Sequence, residues 1–196
     1  MDGGESVDGP YRVLVLAASA GGIGALRALL AGLPEDLPIP VLVVQHLAPH
    51  YQTSVAQVIG RGSRLDVRLA EDGERIGPGT VYVAPPDHHM LVSRDGTVRL
   101  TETELVNYVR PAADPLFISA AAVHGSGTIA CVLTGAGRDG AAGAAAVKAA
   151  GGAVLVQDPA TAWCRSMPDA ALARCEVDAV LPLESIAPAI ARLTVG

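Results

Sequence analysis

The chain has 196 residues, of which half are hydrophobic and 17% are charged, and its formal net charge at pH 7 is -6. This length suits one α/β domain, and the composition excludes an intrinsically disordered chain. The negative charge, with a single Trp and a single Phe, excludes the basic, aromatic-rich surface of a typical nucleic-acid-binding protein. No apolar run reaches the roughly 18 to 20 residues of a membrane span, so we expect no membrane insertion.

The first ten residues and the cysteines favour a cytoplasmic location. Residues 1–10 (MDGGESVDGP) are acidic and Gly-rich, which is typical of a flexible tail and not of a signal peptide. Cys131, Cys164 and Cys175 are odd in number and lack CxxC spacing, which argues against a disulfide framework or a zinc site. We expect no metal and no cofactor.

Short Val/Leu/Ile runs that alternate with Ala-rich segments predict an α/β fold, a doubly wound, mainly parallel sheet with helices on both faces. A β-hairpin-rich insertion is predicted where Gly- and Pro-containing turns separate four short apolar runs. Nothing divides residues 11–196, so a single domain is expected. In chain order the predicted elements are strand 12–18, helix 22–31, strand 40–44, helix 51–59, the insertion 65–100, helix 114–123, strand 128–133, helix 141–150, strand 153–157, strand 178–181 and a closing helix.

Three polar residues follow predicted strands, at the edge where parallel sheets bind ligands. Ser19 lies in the tight turn ASAGG, His46 ends the run VVQH, and Asp139 lies in the Gly-rich turn GAGRDG. Each has a plainer interpretation, since Ser19 and Asp139 could cap helices and His46 could be a hydrogen-bonded histidine at a strand end. Their occurrence on one edge favours a triad of nucleophile, base and orienting carboxylate.

The surroundings of the triad supply further candidates. The helix that follows Ser19 could offer the backbone N–H groups of Ala20, Gly21 or Gly22 to an oxyanion. The remaining histidines are weaker candidates for a base, and they lack the spacing of a zinc site. They are His50, His88, His89 and His124.

A dinucleotide site is the main alternative chemistry. Gly135, Gly137 and Gly140 match GxGxxG between a strand and a helix, and Asp158 ends the next strand about 20 residues on. Against it, Asp139 would place a carboxylate beside the pyrophosphate, and few strands follow the motif. No Lys follows the glycines near Ser19, which argues against a P-loop.

The assembled motifs resemble the catalytic domain of the chemotaxis receptor protein-glutamate methylesterases, the CheB family, along nearly the whole chain. The segments ASAGG, VVQH, AEDGERIGPGTVYVAPPDHHM, VRPAADPLF and LTGAGRDGAAG occur in that family's order and at similar spacings. The resemblance implies a triad of Ser19, His46 and Asp139 that hydrolyses glutamate γ-methyl esters on receptor helices, releasing methanol. It also implies deamidation of receptor glutamines and partners among chemosensory proteins. A non-catalytic receptor-binding module of the same fold is the second alternative.

Some positions depart from the family pattern. Ala20 stands where the family usually has Thr, and Ala136 replaces a common Met, although its backbone N–H could still serve an oxyanion hole. Within the resembling stretches, Arg110 and Met167 could line the substrate cleft or hold loops together. Asp114 is interpreted as a helix cap, and Pro168 as a helix-start proline. Since only about ten residues precede the first strand, we expect no receiver domain and regulation by other means.

Overall fold

A computed structural model describes residues 11–46 and 54–194 of the chain. The predicted tail 1–10, the start of the predicted helix 51–59 and His50 lie outside the described residues. None of the helices in the described ranges combines the length and the apolar character that crossing a membrane takes.

The described residues form nine strands and six α-helices, and a 3-10 turn at Gly125–Gly127 precedes the seventh strand. The elements are β1 (Val13–Ala18), α1 (Gly22–Gly32), β2 (Val41–Gln45), α2 (Val55–Ile59), β3 (Asp66–Leu69), β4 (Thr80–Val83), β5 (His89–Val92), β6 (Val98–Thr101), α3 (Ala113–His124), β7 (Thr128–Val132), α4 (Ala141–Ala149), β8 (Ala153–Gln157), α5 (Ser166–Arg174), β9 (Ala179–Leu181) and α6 (Leu183–Thr194).

Seven strands form one parallel sheet in the order β3-β4-β2-β1-β7-β8-β9, which confirms the predicted fold class. Only β5 and β6 form the expected antiparallel hairpin. The prediction for 65–100 was wrong in its first half, since β3 and β4 join the main sheet and not the insertion. Short runs that alternate apolar and polar residues fit either setting, and the sequence does not show which strand pairs with them.

Alternate residues of β1 pack into two core layers, one on each face of the sheet. Leu14 and Leu16 pack in the layer that α1 and α6 cover, whereas Val13 and Val15 pack in the layer that α3 and α4 cover. Burial on both faces explains why the central strands are nearly continuous Val/Leu/Ile runs.

The strand order determines where a site can form. The chain proceeds from β1 to β2 on one side of β1, and later continues from β7 to β9 on the other side. The direction of winding therefore changes between β1 and β7, and open α/β sheets bind their ligands beyond the carboxyl ends of the strands at such a point.

The packing of α3 against α4 gives a test of this fold. A Cβ added at Gly143 in α4 would lie 2.5 Å from Phe117 Cβ and 3.2 Å from Asp114 Cα. We expect Gly143→Ala to lower the free energy of unfolding by about 1–3 kcal/mol, because the overpacking outweighs the better helix propensity of alanine. Urea denaturation measures the change.

Gly24 in α1 is the matched control for Gly143. A Cβ added there would meet nothing within 4 Å, so Gly24→Ala should stabilise the protein by about 0.5–1 kcal/mol. Equal effects of the two substitutions would contradict the close approach of α3 and α4.

Candidate active site

Ser19 and His46 occupy adjacent backbone positions at the sheet edge. The β1–β2 ladder ends with Ala18 opposite Gln45, and Ser19 and His46 follow next in register. The His46 N–H donates to Ala18 O at 3.0 Å, and the Gln45 side-chain amide donates to Ser19 O at 3.0 Å. The Ser19 N–H donates in turn to Thr134 O at 3.0 Å, after β7. Three strand ends thus hold the backbone of Ser19.

The interpretation of Ser19 as a helix cap is wrong. The N-cap of α1 is Gly21, at a φ of 76°, and no side chain caps this helix. The half-buried Ser19 hydroxyl makes no hydrogen bond to any residue in the described ranges, His46 included. The hydroxyl is therefore not used by the local fold, and a triad contact requires the Ser19 or His46 side chain to move from this geometry.

His46 and Asp139 form a short hydrogen bond, with 2.7 Å between Nε2 and Oδ2, across 93 residues of sequence. The His46 side chain is 11% exposed and that of Asp139 is 2% exposed. Because a carboxylate only accepts, the hydrogen lies on Nε2, and the lone pair of the neutral ring is then on Nδ1.

The Asp139 carboxylate is surrounded by four donors. Besides His46, they are the N–H groups of Ala113 (2.5 Å) and Asp114 (3.1 Å) and the side-chain amide of Asn107 (3.0 Å). Burial alone would raise the pKa of Asp139, but the hydrogen bonds from His46 and Ala113 outweigh it and lower the pKa below its ordinary value of 3.8. Asp139 is therefore negatively charged in the folded protein.

Asp139 does not cap the helix that follows it. Gly140 is the N-cap of α4 and no side chain caps this helix. The carboxylate of Asp139 instead satisfies N–H groups in the first turn of α3, where the helix dipole also favours a negative charge.

Asn107 was not predicted, yet its amide links two buried carboxylates. Its Nδ2 donates to Asp139 Oδ1 and, at 2.8 Å, to Asp114 Oδ2. Burial is the main cause that raises the pKa of Asp114, and the charge of Asp139 adds to it. The only sequence signal for Asn107 is its residue type, because Asn tolerates the left-handed conformation (φ 52°) that it adopts in a tight turn.

The interpretation of Asp114 as an N-cap is also wrong, because Ala112 holds that position and Asp114 lies in the first turn of α3. The Asp114 carboxylate accepts the Gly143 N–H of α4 at 2.7 Å and so joins the two helices. Pro168 lies in the first turn of α5, as expected.

Of the backbone N–H groups expected to form an oxyanion hole, some already donate a hydrogen bond within the protein and others do not. The Gly22 N–H donates to Ser19 O at 2.8 Å, so the expectation for Gly22 was wrong. Within the described ranges, the N–H groups of Ala20 and Ala136 donate no hydrogen bond. Their two turns are joined, since the Thr134 hydroxyl donates to Ala20 O at 2.9 Å.

The two residues expected in the cleft have other contacts. The Arg110 guanidinium donates to Asp87 Oδ1 at 2.7 and 2.9 Å and to the carbonyls of Glu102 and Thr103, which supports its loop-holding alternative. Met167 is fully buried, and its sulfur packs against Gly135. Met167 supports the turn beside Ser19 and does not line an open cleft.

Trp163, like Asn107, was not singled out by the sequence, and it lies near Ser19. Its side chain is 86% exposed and lies against the backbone of Gly21. The next residue, Cys164, accepts the Gly135 N–H at 3.0 Å and donates its own N–H to the Thr134 hydroxyl at 2.9 Å. Trp163 thus stands on a segment fastened to both turns of the site.

The geometry around the glycine motif argues against a dinucleotide site. The Gly135 N–H is bound to Cys164 O. The buried carboxylate of Asp139 lies just before α4, where a pyrophosphate would have to sit. Burying two anions together there without a cation between them is strongly unfavourable.

The other described histidines have structural contacts. His89, 1% exposed, accepts the Ala112 N–H at Nδ1 (3.1 Å) and donates from Nε2 to Glu104 O (3.0 Å). His88 contacts Pro86 O and Glu102. Burial lowers the pKa of His124, and the nearby Arg12 lowers it further.

Comparison with known proteins identifies the family. The sequence profile of the CheB methylesterase family matches residues 14–190. The chain belongs to this family. The crystal structure of the Thermotoga maritima CheB methylesterase catalytic domain superposes with a TM-score of 0.89 at 38% identity, covering 93% of this chain and 98% of that one.

Two relatives show how much of a CheB protein the chain matches. A Caulobacter vibrioides protein-glutamate methylesterase/protein-glutamine glutaminase is 44% identical in an alignment of 187 residues that covers 93% of this chain but 54% of the relative. A Leptospira interrogans protein, whose name assigns it the same two activities provisionally, is 39% identical over 183 residues and is covered to 95%. The chain therefore spans about half the length of the first relative and nearly all of the second.

Replacing Asn107 tests its link to the two carboxylates. Asn107→Gly keeps the left-handed backbone and removes the amide, so we expect the free energy of unfolding at neutral pH to fall by about 1–3 kcal/mol. The difference in the free energy of unfolding between the variant and the wild type should become smaller in acid, because protonated carboxyl groups gain less from the amide. Asp114, whose pKa is raised, takes up its proton first, and Asp139 follows below pH 3.8. Urea titrations across this pH range measure the effect, and a difference that stays constant with pH would indicate turn geometry as its cause.

Proposed function

We propose that this protein is a protein-glutamate methylesterase of the CheB family, with Ser19, His46 and Asp139 as its triad. The observation that carries the proposal is the buried His46–Asp139 pair beside a Ser19 hydroxyl that the fold leaves unused. Family membership supplies the substrate class, a glutamate γ-methyl ester, and the names of the relatives add the deamidation of glutamine.

In the proposed reaction, Ser19 Oγ attacks the γ-carbonyl carbon while His46 Nδ1 accepts the hydroxyl proton. Nδ1 is the base because Nε2 is held by Asp139, whose negative charge stabilises the imidazolium that forms. The tetrahedral intermediate then expels methanol, which takes the proton from His46. Water, activated by the same ring, hydrolyses the acyl-enzyme to glutamate and frees Ser19. A glutamine substrate would release ammonia in place of methanol.

The N–H groups of Ala20 and Ala136 are the proposed oxyanion donors. Both are unused in the described ranges, and they belong to two joined turns on either side of Ser19. Preorganised backbone donors stabilise the developing charge without reorganising during the reaction. Because backbone groups serve here, Ala in place of Thr at position 20 and of Met at position 136 is compatible with the mechanism.

The proposed protein substrate is the set of methylated cytoplasmic helices of chemoreceptors, with further partners among chemosensory proteins and a cytoplasmic location. The CheB family membership supports this. We further propose that residues 11–196 act as one catalytic domain. The continuous seven-stranded sheet, which carries all three triad residues at its edge, supports that view.

Ser19→Ala is the direct test of the nucleophile. Methanol release from membranes that contain methylated chemoreceptors should fall by roughly three orders of magnitude or more, because the covalent step is lost. The Tm should not change, since the hydroxyl has no hydrogen bond within the described ranges. Undiminished methanol release by the variant would contradict the mechanism.

A fluorophosphonate probe separates the esterase from the non-catalytic alternative. An activated Ser19 should be labelled in the wild type and not in Ser19→Ala, whereas an unactivated serine should stay unlabelled in both. Labelling without methanol release would leave an active hydrolase with a different substrate.

The pH dependence tests the base. Turnover should rise from acid to neutral pH, because His46 accepts a proton only as the neutral imidazole. Asp139 does not produce this rise, since its lowered pKa keeps it charged above pH 3.8. The measurement is kcat on a small ester between about pH 5 and 8, and a flat profile would exclude His46 as the base.

A further inference from the structure

Trp163 and Tyr108 are the two most exposed of the large hydrophobic side chains in the described ranges, at 86% and 92%. The whole chain has only one Trp, four Tyr and one Phe. Exposed aromatic side chains of this kind are enriched where proteins recognise other proteins, and Trp and Tyr dominate the binding free energy of such surfaces.

Trp163 borders the site on the side of the nucleophile. A Cβ added at Gly21 would lie 2.6 Å from Trp163 Cβ and 2.9 Å from Cγ, so the base of the indole side chain rests on the backbone two residues after Ser19. The hydrogen bonds of Cys164 to Thr134 and Gly135 fasten its segment. The ring is therefore presented in a defined place.

Tyr108 borders the site on the side of the carboxylate. It follows Asn107, whose amide donates to Asp139, in a turn closed by reciprocal hydrogen bonds between Val106 and Val109 of 3.0 and 3.2 Å. Tyr108 has a φ of 66°, a conformation that is unfavourable for a bulky residue. Its exposed ring gains little packing within the chain to offset this strain, and strain that persists in this way is typical of functional positions.

The surface next to Tyr108 carries positive charge. A cavity of about 410 Å³ adjoins Asn107, and its charged lining residues are Arg138, Arg174 and the buried Asp114. Both arginines are exposed, and neither forms an ion pair with a residue in the described ranges. A partner segment rich in glutamate complements this charge.

We propose that Trp163 and Tyr108 pack against the substrate helix on either side of the esterified glutamate. These contacts determine the affinity for the protein substrate. The inference rests on the proposed function and names the contact surface of the same site. The occupant is an acidic helical segment. Its γ-ester reaches Ser19 while its flanking side chains pack on the two rings.

The test compares a protein substrate with a small one. The variants Trp163→Ala and Tyr108→Gly are assayed for methanol release from the methylated cytoplasmic fragment of a chemoreceptor and for hydrolysis of p-nitrophenyl acetate. Each variant should raise KM for the fragment by about tenfold or more and leave hydrolysis of the small ester within about twofold. Trp163→Phe should recover part of the loss.

Two controls separate recognition from structure. Val180→Ala removes an exposed side chain from β9, which two strands separate from β1, and should change neither assay. Tyr108→Gly should keep or raise the Tm, because Gly adopts a positive φ freely. An unchanged KM for the fragment, or a parallel loss on the small ester, would overturn the proposal.

Tryptophan fluorescence gives a readout that does not need catalysis. Trp163 is the only Trp, so its emission should shift to shorter wavelength when Ser19→Ala binds the fragment and the indole leaves water. If this shift occurs but the wild-type protein releases no methanol, the proposed activity is refuted and the proposed contact surface stands. Binding without a shift would refute the surface alone.

Discussion

The charge on Asp139 is the constraint on which the site depends. Burial alone would raise the pKa of a carboxyl group that is 2% exposed. Four donors surround Asp139, and the hydrogen bonds from His46, Ala113 and Asp114 lower its pKa below the ordinary value. These donors come from the first turn of α3, from the turn that contains Asn107, and from His46 at the end of β2. Segments distant in sequence therefore converge on one carboxylate, and the same contacts serve both stability and the orientation of the imidazole.

A second carboxyl group, that of Asp114, lies beside the first, and its pKa is shifted in the opposite direction. Burial and the neighbouring Asp139 raise the pKa of Asp114, which accepts from Gly143 and from the shared amide of Asn107. Two carboxyl groups whose environments move their pKa values apart are typical of functional sites. Here Asp139 is the charged group that contacts the histidine, and Asp114 is the group that joins α3 to α4.

Close backbone approaches make this convergence possible. Gly135 lies against both Ser19 and the buried sulfur of Met167, and Gly143 lies against Phe117. A side chain at Gly135 would collide with Ser19 and Met167, and a side chain at Gly143 would push α4 away from α3. These two glycines thus leave space for close backbone contacts, and the exposed aromatic rings lie around the site.

The sequence alone determined the α/β class, because burial on both faces of a parallel sheet requires continuous apolar strands with helical segments between them. It also determined the candidates Ser19, His46 and Asp139, since the carboxyl ends of neighbouring parallel strands must share one edge. Local periodicity carries this information, and so it can be read without coordinates.

Only the tertiary structure decided the pairing of β3 and β4 with the main sheet, the buried position of Met167 and the loop contacts of Arg110. It also revealed Asn107, whose amide contacts Asp139 as well as the nearby Asp114, and Trp163, which lies against Gly21, and neither residue gives a periodic signal. The physical reason is the same in each case. Hydrogen bonding and packing depend on where side chains meet in space, as in the His46–Asp139 bond that spans 93 residues.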